Sequence, residues 1–154
     1  MIEQAHKADL PAVADLCLRS KAHWGYDAAF LEACRDELSP RPEALGPGFV
    51  VWRADGCGAI DAMAQVTVAG DEAALEALFV APEAIGTGRG RALFHWALQY
   101  AAEMGARSLS VTSDPFAAPF YERMGARKTG ATPSDAIAGR MLPTYEISVP
   151  ASTS

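Results

Sequence analysis

The chain has 154 residues, 50% of them hydrophobic and 21% charged, which suits one compact domain with a buried core (residues 1–154) and excludes a disordered chain. Its formal net charge is −6 and its Lys and Arg are scattered, so the basic stripe of a general nucleic-acid binder is missing. The three cysteines, Cys17, Cys34 and Cys57, are widely spaced without a C-x-x-C pair, which argues against a disulfide framework or a metal site and for buried thiols in the cytoplasm. No stretch approaches the roughly 18 apolar residues of a membrane span, and the start lacks the basic and apolar regions of a secretory signal.

In chain order, a short strand is predicted at about 2–5. A helix follows, with Ala8 or Asp9 at its N-cap and Pro11 where a missing N–H is tolerated. Leu10, Val13, Leu16 and Cys17 recur at helical spacing, and this helix runs to about Arg19. Ser20 to Tyr26 reads as a polar-aromatic turn. A second helix starts at Asp27, with Phe30, Leu31, Cys34 and Leu38 on one face. Pro40, Pro42, Gly46, Pro47 and Gly48 make a connecting loop.

Phe49 to Trp52 is a short strand, Asp55-Gly56 a hairpin turn, and Ala59 to Val68 the next strand. After a turn at Gly70-Asp71, Ala74 to Val80 is nearly continuous apolar, as in a central strand covered on both faces, with Glu76 its one charge. A long helix opens inside the glycine-rich loop that follows and runs to Met104. Its stripe is Leu93, Trp96, Ala97, Tyr100 and Met104, and Gly105 takes the C′ position. A strand at 107–112, a short helix at 115–124 stopped by Gly125, a strand at 126–129, a loop at 132–142 and a strand at 144–149 complete the chain. The order β-α-α-β-β-β-α-β-α-β-β predicts an α/β (α+β) fold with a mixed, mostly antiparallel sheet flanked by helices. The strands on either side of the long helix are parallel because that helix connects them. Met-Gly-Ala-Arg occurs at 104–107 and 124–127, the same helix-stop-strand grammar used twice rather than an internal repeat.

Gly86, Gly88 and Gly90 alternate between a strand and a helix. Glycines so placed let backbone N–H groups point into one concavity, and the helix N-terminus adds its own free N–H groups and dipole. A phosphate or pyrophosphate is the expected guest. The dinucleotide fingerprint G-x-G-x-x-G/A fails because Arg91 stands at its third position and several strands precede the loop. The P-loop pattern G-x-x-x-x-G-K-[ST] is absent.

The stretch Val80-Ala81-Pro82-Glu83-Ala84-Ile85-Gly86-Thr87-Gly88-Arg89-Gly90-Arg91-Ala92-Leu93 resembles the cofactor motif of the GNAT acetyltransferases, V-x-P-x-x-[RQ]-G-x-G-[IVL]-[GA]-x-x-L. Asp114-Pro115-Phe116-Ala117-Ala118-Pro119-Phe120-Tyr121-Glu122-Arg123-Met124-Gly125-Ala126 is similar to the family's second segment, D-x-N-x-x-A-x-x-F-Y-x-[KR]-x-G-F. The resemblance covers about Leu75 to Gly130. Two departures matter: Ile85 stands where the family has Arg or Gln, and Phe116 or Ala117 stands near the family's Asn.

The resemblance implies direct acyl transfer from acetyl-CoA to an amine of a small molecule or peptide; no nucleic-acid or membrane partner is expected, from the charge and hydropathy read above. A non-catalytic CoA-binding or regulatory domain is the alternative that the same residues allow. Oligomeric state stays open, a homodimer being common among such small enzymes. The donor pyrophosphate is expected on Ile85, Gly86, Thr87, Gly88, Arg89, Gly90 and Arg91, held by the backbone, with Arg89 or Arg91 adding charge. The backbone of Leu78, Phe79 and Val80 is expected to bind the pantetheine amides by β-addition. Tyr121 matches the family's tyrosine and is the expected proton donor to the leaving thiolate, since a phenol stays protonated at neutral pH. Glu76, a carboxylate inside an apolar strand, is the expected base, a water chain being the other choice. His23, Trp24 and Tyr26 are expected at the acceptor, and Arg140 is expected to pair with a substrate carboxylate or with Asp135.

Overall fold

The computed structural model describes residues 2–54, 58–134 and 137–150. The strands are β1 (Ile2–Gln4), β2 (Phe49–Arg53), β3 (Ile60–Ala69), β4 (Glu72–Val80), β5 (Ser108–Thr112), β6 (Arg127–Pro133) and β7 (Met141–Ser148). The helices are α1 (Leu10–Ala22), α2 (Ala28–Leu38), α3 (Arg89–Glu103) and α4 (Ala118–Arg123). The sheet order is β1-β2-β3-β4-β5-β7-β6. Pairs β1–β2, β2–β3, β5–β7 and β6–β7 are antiparallel, and β4–β5 is parallel because α3 joins them. The mixed sheet and element order are those expected from the sequence. The expected Asp55-Gly56 turn lies outside the described residues.

Several boundaries differ. No breaker stands before Gly25, so α1 continues past Arg19 to Ala22, burying Ser20, and Gly25 ends the turn at φ +91°. Asp27 is the N-cap of α2, accepting the Phe30 N–H at 2.8 Å. The β6–β7 connection is shorter than the expected 132–142 loop, because β6 extends to Pro133 and β7 begins at Met141. On β4, Ala73 and Leu75 are buried while Glu72 and Glu76 are exposed. Its first half is thus an alternating strand with one solvated face, not one covered on both faces. On α3 the buried face is Leu93, Phe94, Ala97 and Ala101, whereas Met104 is 52% exposed. Trp96 and Tyr100 stack on each other at 5.4 Å, half-buried.

The chain divides into two compact units, one of Met1–Gln65 with Ala77–Leu93, the other of Val66–Glu76 with Phe94–Ser154. In the first, Val13, Leu16 and Cys17 of α1 pack with Phe49 and Val51 of β2, Ile60 and Met63 of β3, and Ala81 and Ala84 after β4. Burial pushes the Cys17 thiol up to about 12. In the second, the buried residues include Leu109 and Val111 of β5, Phe94 and Ala97 of α3, and the rings of Tyr121 and Tyr145. The β4–β5 ladder of this unit runs from Glu72↔Ser108 to Leu75↔Val111.

Candidate functional site

The first unit carries the glycine-rich segment. From Ala81 the chain makes a 3-10 turn over Pro82–Ala84, then passes through Ile85 to Gly88 into α3. Gly86 and Gly88 sit at φ +84° and +88°, left-handed conformations that only glycine adopts without strain. A Cβ built on either would meet no atom within 4 Å, so the backbone there faces open space. The Ile85 and Thr87 N–H groups are taken by Pro82 and Ala84 carbonyls, and the Thr87 hydroxyl also bonds the Ala84 carbonyl. Those of Gly86, Gly88, Arg89, Gly90 and Arg91 have no acceptor among the described residues. A 15-residue helix whose first N–H groups are unengaged presents a positive end to an anion. The side chain of Ile85 is 46% exposed and contributes no charge, so any grip here is backbone.

Arg89 does not extend toward that opening. Its guanidinium meets Asp61 of β3 at 3.2 Å and lies 5.2 Å over the Trp52 ring of β2. Of the two arginines expected to add charge, Arg91 is exposed and Arg89 is committed to Asp61. Asp61 and Trp52 escaped the sequence reading. The available signal was a lone carboxylate in the apolar strand Ile60–Ala64, whose partner is distant in sequence. Leu78, Phe79 and Val80 are half-buried at the end of β4, beyond the residues that pair with β5.

Also in this unit, the turn after α1 gathers aromatics. His23 and Trp24 meet edge-on at 5.6 Å, Tyr26 and Phe30 stack at 4.0 Å, and Lys21 Nζ stands 5.8 Å from each of those last two rings. The chain itself therefore places a cation against Tyr26. Trp24 is 39% exposed.

Glu76, Tyr121 and Arg140 belong to the second unit. Tyr121 of α4 is buried among Phe94, Phe120 and Tyr145 at ring distances of 6.0, 5.1 and 6.3 Å. Burial pushes its phenol above the ordinary value, so it stays protonated at any physiological pH. The Tyr145 ring is also buried, and its hydroxyl reaches Glu122, donating at 2.6 Å. That bond and burial hold the Tyr145 phenol above its ordinary value. Glu76 is not the desolvated carboxylate expected: it lies on the exposed face of β4 and accepts the Thr67 hydroxyl at 2.7 Å. Alternation along the strand turns it outward. Arg140 meets Asp114 at 3.2 Å, the two side chains 16% and 13% exposed, so a chain carboxylate already engages it, and the expected Asp135 lies outside the described residues. Asp114 also accepts the Phe116 N–H at 2.9 Å, turning the chain toward α4. Among the described residues no group of three or more His, Cys, Asp and Glu side chains is placed to hold a metal ion, and no helix is long and apolar enough to cross a membrane.

Comparison with known proteins adds to these observations. Solved structures similar to the chain include the ribosomal-protein-S18-alanine N-acetyltransferase of Escherichia coli, at 21% identity and TM-score 0.71, covering 100% of this chain and 95% of that one. The PaiA N-acetyltransferase of Thermoplasma acidophilum, solved with coenzyme A, aligns at 16% identity and TM-score 0.72, over 96% and 98%. A GCN5-related N-acetyltransferase of Rhodopseudomonas palustris aligns at 19% identity and TM-score 0.76, over 96% and 94%. At such identities the likeness establishes the fold. No curated protein sequence matches the chain. The family model described as acetyltransferase (GNAT) family matches residues 16–126, which takes in both the glycine-rich loop and the Phe120-Tyr121 segment, and on that match the chain belongs to the GNAT acetyltransferase family.

Proposed function

We propose that the protein is an acyl-CoA-dependent N-acyltransferase of the cytoplasm that moves an acetyl group from acetyl-CoA to a primary amine of a small molecule or peptide by direct attack. The observation that carries this reading is the loop at Gly86 and Gly88, left-handed, open above the backbone and leading into unengaged N–H groups of α3. Such a cradle suits a pyrophosphate, and the residues present fit the donor. The donor supplies an acyl group already activated as a thioester. The chain's part is to hold it and to manage two protons. Gly86, Gly88, Arg89, Gly90 and Arg91 bind the pyrophosphate through backbone N–H groups, with Thr87 shaping the loop and Arg91 as the charged side chain. Leu78, Phe79 and Val80 offer backbone groups to the pantetheine amides, and the amide of Phe79 or a neighbour polarises the thioester carbonyl. Tyr121, protonated and buried, donates to the departing thiolate. Glu76, held by Thr67 in contact with solvent, takes the amine proton through water. On the acceptor side we retain His23, Trp24 and Tyr26, with Trp24 the exposed ring. Arg140 positions its own loop through Asp114 rather than a substrate carboxylate.

A specific observation favours a second reading, a CoA-binding domain without turnover: Ile85 and the Phe116 region lack the polar side chains of the family's motifs. One experiment separates the two. Calorimetric titration with acetyl-CoA is expected to show binding, and thiol release over a panel of primary amines is expected to show turnover. Binding without turnover supports the second reading, and no binding at millimolar acetyl-CoA defeats both. Gly88→Glu is the control, because a carboxylate in the cradle and a side chain at φ +88° should abolish binding.

A further inference from the structure

The family's cofactor motif carries Ile, Val or Leu at the position of Arg89. In this chain that position holds a cation whose guanidinium is folded onto Asp61 and Trp52, with Nε sealed from solvent and without a partner among the described residues. Asp61 sits where the β2–β3 register slips: Trp52 faces Ala62 and Arg53 faces Ile60, so Asp61 is the extra residue of a bulge. Bulges re-aim the groups of the residue they insert. Here both polar groups of Asp61 are used on one loop. Its backbone carbonyl accepts the Ala81 N–H at 2.7 Å, and its carboxylate meets Arg89 at 3.2 Å. Ala81 is where the loop leaves β4, and Arg89 is where the loop becomes α3.

We infer that Asp61 is a positioning residue that holds both ends of the loop 81–89 and thereby sets the spacing of the Gly86–Gly88 cradle. The side chains of Arg89 and Asp61 are 23% and 16% exposed, and the Trp52 ring covers the guanidinium, so the contact is shielded from water more than a surface ion pair is. Within the loop, the Thr87 N–H on the Ala84 carbonyl and the Ala92 N–H on the Gly88 carbonyl continue the same fastening. The charge pair stands at the position where the family's motif carries an apolar residue. The consequence for donor affinity rests on the acyl-donor reading of the loop, but the clamp itself does not.

The test has two arms. Amide hydrogen exchange on the protein without ligand compares the wild type with Asp61→Asn. The Thr87 and Ala92 amides are expected to exchange at least about fivefold faster in the variant, as local opening becomes easier. The Ala5 amide, bonded to the Phe49 carbonyl in the same unit, is expected to be unchanged. Unchanged or slower exchange at Thr87 and Ala92 overturns the clamp, as does equal acceleration at Ala5. Calorimetric titration with CoA then measures the consequence: Asp61→Asn is expected to weaken binding about tenfold, equivalent to about 1.4 kcal/mol. Adding Arg89→Leu, which installs the family's apolar residue, is expected to return the affinity to within about threefold of wild type, since the replacement packs without a charge partner. Tighter binding in Asp61→Asn, or a double variant no better than the single, overturns the inference. If Asp61→Asn does not fold, Arg89→Ala is carried through both arms, with the same acceleration at Thr87 and Ala92 and the same loss of CoA affinity expected, because it leaves the Asp61 carboxylate without its partner; wild-type exchange or wild-type affinity there overturns it. If the wild type does not bind CoA, the donor reading fails while the exchange arm still decides the clamp.

Discussion

Tyr121 shows how much one residue's surroundings say about its role. Its ring is packed by Phe94, Phe120 and Tyr145, and no described residue accepts from its hydroxyl. Tyr121→Phe keeps the packing, so the melting temperature at pH 7 is expected to stay within about 2 °C, given that 1 kcal/mol moves a domain of this size by about 2–4 °C. If the phenol is the proton donor, kcat should fall by about 10–100-fold, the low end for acid–base groups because a thiolate is a good leaving group. The pH sign also follows. Burial raises the folded phenol, so its contribution is fully present below the unfolded value near 10 and is lost as pH rises beyond it. Tyr121→Phe should therefore lose less stability than wild type between about pH 10 and 11 in denaturant titrations. A wild-type kcat in the variant would leave Tyr121 as a packing residue. Glu76 teaches the reverse: its apolar neighbours in sequence implied desolvation, and strand alternation placed it in solvent.

At the scale of elements, Arg53 at the end of β2 fastens the N-terminal segment. It bonds Glu3 of β1, and its second contact is Asp9 at 2.7 Å in the turn that leads into α1. Burial works against the Asp9 carboxylate, but Arg53 and the His6 N–H outweigh it and hold it below its ordinary value. The sign is that of a lowered carboxylate: the stabilisation is present above the unfolded value near 4 and is lost as pH falls through the folded value. Asp9→Asn is expected to cost about 1–2 kcal/mol at pH 7, between the ranges for exposed and buried pairs. It should also remove part of the acid-induced loss below about pH 4, read from thermal melts across pH 3 to 7. Equal melting temperatures at pH 7 would show that the Arg53–Asp9 contact does not stabilise the fold. Arg140 and Asp114 make a comparable fastening between the β6–β7 connection and the turn before α4.

At the scale of the whole molecule, ligand linkage is the available measurement. Acetyl-CoA at 100 times its dissociation constant should add about 2.7 kcal/mol, raising the melting temperature by about 5–10 °C at 154 residues. No rise at saturating concentration would contradict a donor site anywhere on the chain. The net charge of −6 makes inorganic polyanions poor competitors through charge alone, so any rise with CoA reports a built site.

The sequence by itself determined the order of elements, because apolar period, caps and glycine stops are local signals. Gly105 and Gly125, read as helix stops, stand at φ +88° and +94°. It also determined the position of the glycine loop and the family motif, since both are contiguous strings. Tertiary structure decided what each side chain meets. Met104 fits a helical stripe yet is exposed, and Phe94, outside that stripe, is fully buried. Arg89 looked like an anion ligand until Asp61, 28 positions earlier by subtraction, was found against it. Partners brought together by a β-bulge and a crossover helix leave no local trace, because the pairing energy depends on the folded path of the chain and not on spacing along it.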